Sequence, residues 1–370
     1  MGRMVTEGAG GRLVAGRYLL HERLGHGGMG IVWRATDQLL GREVAVKALP
    51  LDESLSAAES RRRRERTLRE ARAVARLRHP HVIVVHDVVE DDEHAYMVME
   101  LVDGGSLADH VLSRGPVDAA EAARIGIALL DALGTAHAAG ILHRDVKPSN
   151  VLIAEDGRVV LTDFGVAQVA GATTLTESGS FVGSPEYTAP ERMSGAGTGP
   201  ASDLWSLGVL LCAVLSGASP FHRDSLGGVL HAVVTEEIRP PAQAAPLLPV
   251  VRGLLERDPR RRLDAESAQR MLRAYLSTGR TPATAAQAAT GEPRRARPSV
   301  RRNVLMAVLL VVAAAGAGVS AAALLADGGD DGGGTPTSSV PATAPPTPTP
   351  TPPTTEPASP PTGSRPGTGT

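Results

Sequence analysis

The glycine-rich segment Leu24 to Val32 is the first part of the chain whose residue types could bind a ligand. It reads Leu-Gly-His-Gly-Gly-Met-Gly-Ile-Val, so that Gly25, Gly27 and Gly30 form a G-x-G-x-x-G-x-V pattern. Glycine carries no Cβ, and a backbone built from it can therefore approach phosphate groups closely. The pattern alone is shared by dinucleotide-binding folds, so the neighbouring elements must decide between the two uses.

The elements after the glycines favour a flap of two strands. A dinucleotide fold needs a helix after the third glycine and an acidic residue about 20 positions further on. Here the run Ile31–Ala35 predicts a second strand, and Glu43–Lys47 alternates as a further strand does. Lys47 would then lie on the third strand and face the same space as the glycines.

With these residues in place, the chain resembles the eukaryotic-type protein kinase family. Its glycine loop and the motif Val44-Ala45-Val46-Lys47 have the spacing of that family. The resemblance implies that Lys47 holds the α- and β-phosphates of ATP and is itself held by a helix glutamate. Within the helix predicted over residues 57–77, Glu70 is the best match. Glu65 competes for this role, but the spacing to His79-Pro80 favours Glu70.

Residues 143–150 read His-Arg-Asp-Val-Lys-Pro-Ser-Asn and match the catalytic loop of the family throughout. The resemblance implies that Asp145 accepts the proton of the substrate hydroxyl. Lys147, as in Ser/Thr-specific members, would neutralise charge on the transferred phosphate. Asn150 and the aspartate of Asp163-Phe164-Gly165 would bind Mg²⁺ (or Mn²⁺), which suits oxygen ligands.

The resemblance extends to the adenine site and to the later motifs. Met99 aligns with the gatekeeper that precedes a hinge, Glu100 to Val102, whose backbone would bind adenine. The side chains implied to enclose the ring are Leu24, Val32, Ala45 and Leu152. Further matches are Ala189-Pro190-Glu191 with Arg262 as salt-bridge partner, Asp203 as a brace for the catalytic loop, and Ser184 in the substrate pocket beside Asp145.

The implied fold is an α+β, bilobed protein kinase fold over residues 17–278. Its N-lobe would hold an antiparallel sheet plus a helix, and its C-lobe would be mainly α-helical. Residues 1–16 are expected to be disordered. The small-molecule kinases of similar fold are an alternative, which the intact activation segment disfavours.

The composition argues against nucleic acid as a partner and excludes intrachain disulfide and cysteine–zinc chemistry. The 370 residues carry 38 Lys+Arg against 40 Asp+Glu, a net charge of −2, so no global basic excess predicts nucleic-acid binding. The run Arg61–Arg64 is interleaved with glutamates and is interpreted as a solvated helix face. A single cysteine, Cys212, excludes an intrachain disulfide and a cysteine-based zinc cluster.

The C-terminal part predicts a membrane anchor. Residues 279–302 form a basic juxtamembrane linker, and 303–326 predict a transmembrane helix, since 23 residues from Val304 to Ala326 carry no charge. The flanking charges disfavour a buried core helix, and the N-terminus lacks the apolar core of a signal peptide. The positive-inside rule then predicts a single-pass membrane protein whose kinase region is cytoplasmic. Residues 327–370, with 12 Pro and 11 Thr, predict a disordered extracytoplasmic tail.

Together these features are similar to the bacterial receptor-type Ser/Thr kinases, although no folded external domain is visible. Arg144 could pair with a phosphate on the activation loop, where Thr173, Thr174 and Thr176 are the candidate autophosphorylation sites. Expected partners are ATP, proteins with Ser or Thr, a second copy for autophosphorylation in trans, and phosphothreonine-binding proteins. The competing hypothesis is a membrane-tethered pseudokinase scaffold, which the presence of Lys47, Asp145 and Asp163 disfavours.

Overall fold

The computed structural model describes residues 11–27, 30–49, 56–92, 94–165 and 184–282, which form a lobe of strands followed by a lobe of helices. The strands are β1 (Leu13–Val14), β2 (Tyr18–Gly27), β3 (Gly30–Asp37), β4 (Arg42–Ala48), β5 (Val85–Asp91), β6 (His94–Met99), β7 (Val151–Ile153) and β8 (Val159–Leu161). The helices are α1 (Ala57–Val74), α2 (Leu107–Arg114), α3 (Ala119–Ala138), α4 (Pro190–Met193), α5 (Pro200–Ser216), α6 (Leu226–Val234), α7 (Leu248–Leu254) and α8 (Ala265–Thr278).

Within the described residues, the N-terminal lobe is built on one antiparallel sheet in the order β1-β2-β3-β4-β6-β5. Strand β4 shows how the two faces are used, because successive side chains of a strand point to opposite faces. Val44 and Val46 are fully buried in a core with Tyr18 and Val98. Ala45 and Lys47 therefore face the other side, toward the second lobe.

The sheet begins earlier than the sequence predicted. Residues 1–16 were expected to be disordered, but Leu13 and Val14 form β1 and pair with Leu19 and Tyr18. Val14 is fully buried in the core of the sheet. Its burial explains why this segment has a defined position, because covering an apolar side chain with a sheet face is favourable.

Helix α1 is shorter at its C-terminal end than the predicted span of 57–77. It ends at Val74 and is capped by Ala75. Its start is fixed by a capping box in which the Ser56 hydroxyl accepts a bond from the N–H of Glu59 while the Glu59 side chain accepts from the N–H of Ser56. Such a cap satisfies two backbone donors that the first turn would otherwise leave free.

The C-terminal lobe packs around α5, whose residues 202–215 are all buried. A helix that is apolar on every side belongs in the centre of a domain. Cys212 lies on this helix, and burial raises the pKa of its thiol to about 12, so the thiol stays protonated at neutral pH. The expectation that Cys212 is an inert core residue is consistent with this position.

The predictions for the C-terminal segment lie mostly outside the described residues. Helix α8 ends at Thr278, and Gly279 caps it in a left-handed conformation with φ 70°. In the part of the chain that the structure describes, no helix has the length and apolarity needed to cross a membrane. The predicted span at 303–326, the tail at 327–370 and the linker beyond residue 282 are not among the described residues.

Candidate active site

Three side chains of the predicted site meet around Asp145, on the loop between α3 and β7. Lys147 places its Nζ 2.7 Å from the Asp145 carboxylate and 2.9 Å from the Ser184 hydroxyl. Asn150 donates from Nδ2 to the backbone carbonyl of Asp145 at 2.8 Å and to its carboxylate at 2.9 Å. The structure thus brings a buried carboxylate, an amine and an amide together next to Ser184, which was expected to line the substrate pocket.

His143 holds this loop from inside the lobe. Its Nδ1 accepts a bond from the N–H of Asp145, and its Nε2 lies 2.8 Å from the carbonyl of Thr162. Accepting at Nδ1 requires the proton on Nε2, which then donates to Thr162. Burial lowers the pKa of His143, which keeps the ring neutral in this tautomer. The ring also contacts Phe164 at a centroid distance of 4.7 Å.

Asp203 of α5 braces the same loop through its backbone. It accepts from the N–H groups of His143 at 2.9 Å and of Arg144 at 2.8 Å, and His137 lies 2.8 Å from it. Burial raises the pKa of Asp203, but the bonds from His137 and the loop outweigh burial and leave the pKa below its usual value. The predicted bracing role of Asp203 is confirmed by these contacts.

Lys47 and Asp163 meet across the space between the lobes. The Lys47 Nζ, on a residue only 6% exposed, lies 2.7 Å from Asp163 Oδ1. Asp163 has a left-handed backbone with φ 61°, which aims its carboxylate away from the path of the chain. Side chains that are 116 positions apart in sequence therefore share one cleft.

The residues predicted to bind a metal ion are compatible with Mg²⁺ in their chemistry. Asn150 uses its amide nitrogen on Asp145, which leaves the amide oxygen as the atom able to bind a cation. The N–H of Thr162, next to Asp163, donates to the carbonyl of Asn150 at 2.9 Å, which ties the two ligand positions together. One carboxylate and one amide oxygen suit a hard cation that takes its other ligands from phosphate and water.

A small apolar cluster lies next to this cleft and contains most of the predicted adenine site. Its buried members are Ala45, Ile83, Met99 and Val160, and the partly buried residues packed on it are Val32, Leu101, Val102 and Leu152. The cluster joins the underside of the sheet to β7 and β8 of the second lobe. It provides an apolar surface against which a purine ring could pack.

Two members of this cluster, Ile83 and Val160, were not predicted, because they are apolar residues without a motif of their own. Leu101 was predicted only as part of the hinge backbone. Val160 carries a detectable signal, because it is the middle residue of the short aliphatic run Val159-Val160-Leu161, which comes shortly before Asp163. Ile83 reaches the cluster through a backbone bond from its N–H to Leu161, a contact that only the tertiary structure reveals.

The hinge is held by its own acidic side chain. Glu100 accepts from the backbone N–H of Val84 at 3.0 Å and from Arg158 at 2.8 Å, and its N–H donates to the carbonyl of Val84. Arg158 lies in the turn between β7 and β8. Glu100 thus connects the hinge to both lobes by its side chain, while the predicted adenine contacts would use the backbone.

The glycine loop lies at the edge of the same cleft. Gly25 pairs with Val32, and Gly27 pairs with Gly30, across β2 and β3. Gly30 has φ 113°, a conformation that residues with a side chain rarely adopt. Leu24 is 44% exposed and is not part of the apolar cluster, whereas residues 28 and 29 at the tip are not described.

Glu70 is the predicted residue that the structure does not bring to its expected partner. Its carboxylate lies 3.1 Å from Nε of Arg66, one turn earlier on α1, while the Lys47 amine pairs with Asp163. Glu70 and Lys47 are both among the described residues, and no ion pair joins them. In the conformation described, the Lys47 amine is held by the carboxylate predicted to bind metal.

The predicted regulatory residues are only partly described. Arg144 directly precedes Asp145, and its backbone has φ 69°. Thr173, Thr174 and Thr176 lie outside the described residues. The pairing of Arg144 with a phosphorylated threonine therefore stays a prediction.

The segment after Ser184 is anchored to the second lobe by a buried ion pair. Arg262 donates to both oxygens of Glu191, at 2.7 and 2.9 Å, and the Ser202 hydroxyl donates to the same carboxylate at 2.8 Å. The guanidinium also lies 5.2 Å from the centre of the Trp205 ring. The predicted pairing of Glu191 with Arg262 is confirmed.

A strand lobe and a helix lobe, with a lysine, two aspartates and an asparagine converging between them, define the protein kinase fold. In agreement, residues 18–272 match the family model described as the protein kinase domain. The match covers more than half of the chain. The chain belongs to the protein kinase family.

Its relatives include bacterial serine/threonine-protein kinases. The chain is 36% identical over 294 residues to the serine/threonine-protein kinase PkaA of Streptomyces coelicolor, a match that covers 76% of this chain and 54% of that protein. It is 40% identical over 252 residues to PknA of Mycobacterium tuberculosis, covering 66% of this chain and 57% of that protein. It is 38% identical over 213 residues to PknL of the same species, covering 58% and 52%.

The matched part spans about half the length of these curated relatives. The family assignment therefore concerns the kinase domain. The other parts of these relatives lie outside the matched region. The kinase domain of this chain is similar in sequence to the corresponding part of these bacterial serine/threonine-protein kinases.

Proposed function

We propose that this protein transfers the γ-phosphate of ATP to serine or threonine hydroxyls of other proteins. The observation that carries the proposal is the contact of Lys147 with both Asp145 and Ser184. A hydroxyl brought beside Ser184 would find a carboxylate to accept its proton and an amine to neutralise the phosphate it attacks. The similarity to three named serine/threonine-protein kinases supports the same substrate class.

The side chains divide the reaction into simple tasks. Asp145 takes the proton from the substrate hydroxyl, whose oxygen forms a bond to the γ-phosphorus as the bond to the β–γ bridging oxygen breaks. ADP leaves with the electrons of that broken bond. Lys147 lies beside Asp145 and would stabilise the negative charge on the phosphoryl group in transit. Positioning of the reactants supplies much of the rate.

The nucleotide would be held by groups from both lobes. Adenine would pack on the apolar cluster of Ala45 and Met99 and bind the hinge backbone, and Lys47 would bind the α- and β-phosphates. Asn150 and Asp163 would hold a magnesium ion, which supplies positive charge to the β- and γ-phosphates when bound. For this, Asp163 must exchange its present partner, Lys47, for the metal, which frees the lysine for the phosphates and for Glu70.

The test is incubation of the full chain with labelled ATP and Mg²⁺ or Mn²⁺, using a protein substrate. Asp145→Asn and Lys47→Met are the matched variants. We expect labelling of serine and threonine by the wild type and losses of at least about 100-fold in both variants. Equal incorporation by all three proteins would contradict the proposal and favour the alternative of a kinase-like scaffold.

We further propose that the enzyme is activated by phosphorylation in trans at Thr173, Thr174 or Thr176, within a homodimer. Arg144 supports the idea, since an arginine next to the catalytic aspartate can pair with such a phosphate and order the segment. Mass spectrometry of wild-type and Asp145→Asn protein tests it. Phosphate on these threonines in the wild type alone is expected. Its absence from active wild-type enzyme would contradict the proposal.

We also propose a single-pass location in the cell membrane, with residues 303–326 crossing the bilayer. The charge-free apolar stretch and the arginines before it support this. A full chain is expected in the membrane fraction, and a chain ending at residue 302 in the soluble fraction. Protease added outside intact cells should remove the tail only. A full chain found in the soluble fraction would contradict the proposed anchor. In that case residues 327–370 would lie in the cytoplasm, and only cytoplasmic partners, such as phosphothreonine-binding proteins, would reach them.

A further inference from the structure

Arg144 has an uncommon backbone conformation, and the backbone groups on both sides of it are hydrogen-bonded. With φ 69° it lies in the left-handed region, which a residue with a side chain occupies only when its surroundings impose it. Its N–H donates to Asp203, and the carbonyl of His143 accepts from the N–H of Gly165 at 3.0 Å. These bonds fix the chain just before Asp145.

The remaining group is the carbonyl of Arg144, and Nη1 of Arg192 donates to it. This carbonyl belongs to the peptide plane that joins Arg144 to Asp145. The other end of that plane, the N–H of Asp145, is bonded to His143 at 3.2 Å. A peptide group held at both ends cannot rotate, so the direction in which Asp145 leaves the backbone is set by His143 and Arg192 together.

Arg192 is well placed to act as a fixed anchor. It follows Glu191, which Arg262 and Ser202 hold by three hydrogen bonds. Its own N–H donates to the carbonyl of Ala189, a fully buried residue. A side chain that starts from such a rigid base can transmit the position of its helix to the group it contacts.

We infer that Arg192 is a positioning residue for phosphoryl transfer: its guanidinium holds the carbonyl of Arg144 and so orients Asp145 toward the substrate hydroxyl. The inference rests on the proposed kinase function. It also links the end of the activation segment to the proton acceptor, because Arg192 follows that segment directly. A shift of α4 would move the Arg144 carbonyl and with it the plane leading to Asp145.

The test compares Arg192→Met, which removes every donor at similar length, with Arg192→Lys, which keeps a charged donor. Arg239→Met is the matched control, since Arg239 is 83% exposed and pairs with Glu237. We expect kcat to fall by about 100-fold in Arg192→Met and by about tenfold in Arg192→Lys, because small misplacements of a reacting group have costs of this order. KM for ATP should stay within about threefold, because the nucleotide contacts are intact.

A second measurement reports position without activity. Hydrogen exchange of the backbone over residues 141–150 of the full chain should be faster in Arg192→Met than in the wild type or in Arg239→Met. A kcat of Arg192→Met within about twofold of wild type, or a loss confined to KM for ATP, would overturn the inference. So would unchanged hydrogen exchange in that loop.

Two further outcomes are distinguishable. If Arg192→Met does not fold, Arg192→Lys decides: a lower kcat with faster loop exchange supports the inference, and two unchanged values contradict it. If the wild type transfers no phosphate, the proposed function fails. Loop exchange then still shows whether Arg192 holds the backbone at Asp145.

Discussion

Two residues next to the proposed chemistry, Arg144 and Asp163, have left-handed backbones with φ 69° and 61°. Each such residue costs about 1–2 kcal/mol unless its surroundings compensate. Here the compensation is visible: Asp203 and Arg192 bind the backbone of Arg144, and Lys47 pairs with the side chain of Asp163. The unfavourable backbone conformations of Arg144 and Asp163 therefore lie next to the proposed catalytic groups, where neighbouring side chains compensate for them.

The first prediction concerns the ion pair of Arg262 with Glu191, whose side chains are 1% and 11% exposed. Removing one member of a buried pair leaves an uncompensated charge, so Arg262→Ala should lower the free energy of unfolding by about 3–5 kcal/mol. Arg239→Ala, at an exposed arginine, should change it by less than about 0.5 kcal/mol. Urea unfolding measures both, and equal stabilities would show that the pair is not essential to the fold.

The second prediction is that the stability of the fold depends on pH through the ionisation of Glu191. Burial raises its pKa, but the bonds from Arg262 and Ser202 outweigh burial, so the folded-state pKa lies below the ordinary value of 4.5. A lowered pKa stabilises the fold above the ordinary value and loses this effect as the pH falls through the folded-state value.

The variant Glu191→Gln isolates this contribution. The difference in melting temperature between wild type and variant should be constant from about pH 7 to pH 5.5 and shrink below about pH 4.5. A difference that stays the same down to about pH 3 would assign the acid sensitivity to other carboxylates.

At the scale of elements, the C-terminal lobe is organised by close approaches to α5. Gly208 faces α7, and a Cβ added there would lie 2.9 Å from the Cβ of Leu254 and 3.1 Å from Leu255. Such contacts bring helix backbones together, because a glycine leaves room for the neighbouring side chain. The tight packing explains how Asp203, five residues earlier, is held firmly enough to brace the catalytic loop.

The third prediction uses two helical glycines as a matched pair. Gly208→Ala should destabilise the fold by about 1–3 kcal/mol, because the contact with Leu254 is with its Cβ, an atom close to the backbone that cannot move aside easily. Gly134→Ala on α3 has nothing within 4 Å of the new Cβ and should stabilise the helix by up to about 1 kcal/mol. Chemical unfolding decides, and a stabilising Gly208→Ala would contradict the packing argument.

At the scale of the whole molecule, two ion pairs connect the sheet to residues beyond the hinge. Lys47 pairs with Asp163 across the lobes, and Arg34 of the sheet lies 3.0 Å from Asp103 beyond the hinge. Glu70 is meanwhile paired with Arg66 within α1, an interaction worth only about 0.3–0.5 kcal/mol. Such a weak pair is easily exchanged, so separating Glu70 from Arg66 would add little to the cost of releasing Lys47 from Asp163.

The fourth prediction follows from that exchange. A non-hydrolysable ATP analogue with Mg²⁺, at about 100 times its Kd, should stabilise the protein by about 2.7 kcal/mol, or about 5–10 °C in Tm. The shift should be much smaller when EDTA replaces Mg²⁺, and in Asp163→Ala with the metal present. Asp224→Ala, at an exposed aspartate, is the control. A shift independent of metal and of Asp163 would separate nucleotide binding from the proposed metal site.

The sequence by itself predicted the bilobed kinase fold and most of the side chains that the structure brings together in the cleft, because the motifs have fixed spacing and each belongs to a particular strand or loop. Alternation along Val44 to Lys47 was enough to separate the core face from the cleft face of β4. The catalytic loop was predicted in full from its motif. The contacts of Asp203 with that loop and of Arg262 with Glu191 were also predicted. These contacts could be predicted because the motifs contain characteristic residue types and follow one another in the order of the protein kinase family.

Only the tertiary structure decided what depends on the position of one element relative to another. The partner of Lys47 is Asp163 and not Glu70, since it depends on where α1 lies against the sheet. Ile83 and Val160 joined the apolar cluster, and Arg192 reached the Arg144 carbonyl, through contacts between segments distant along the chain. Local patterns fix which face a residue occupies, whereas the packing of whole elements selects the atom that it meets.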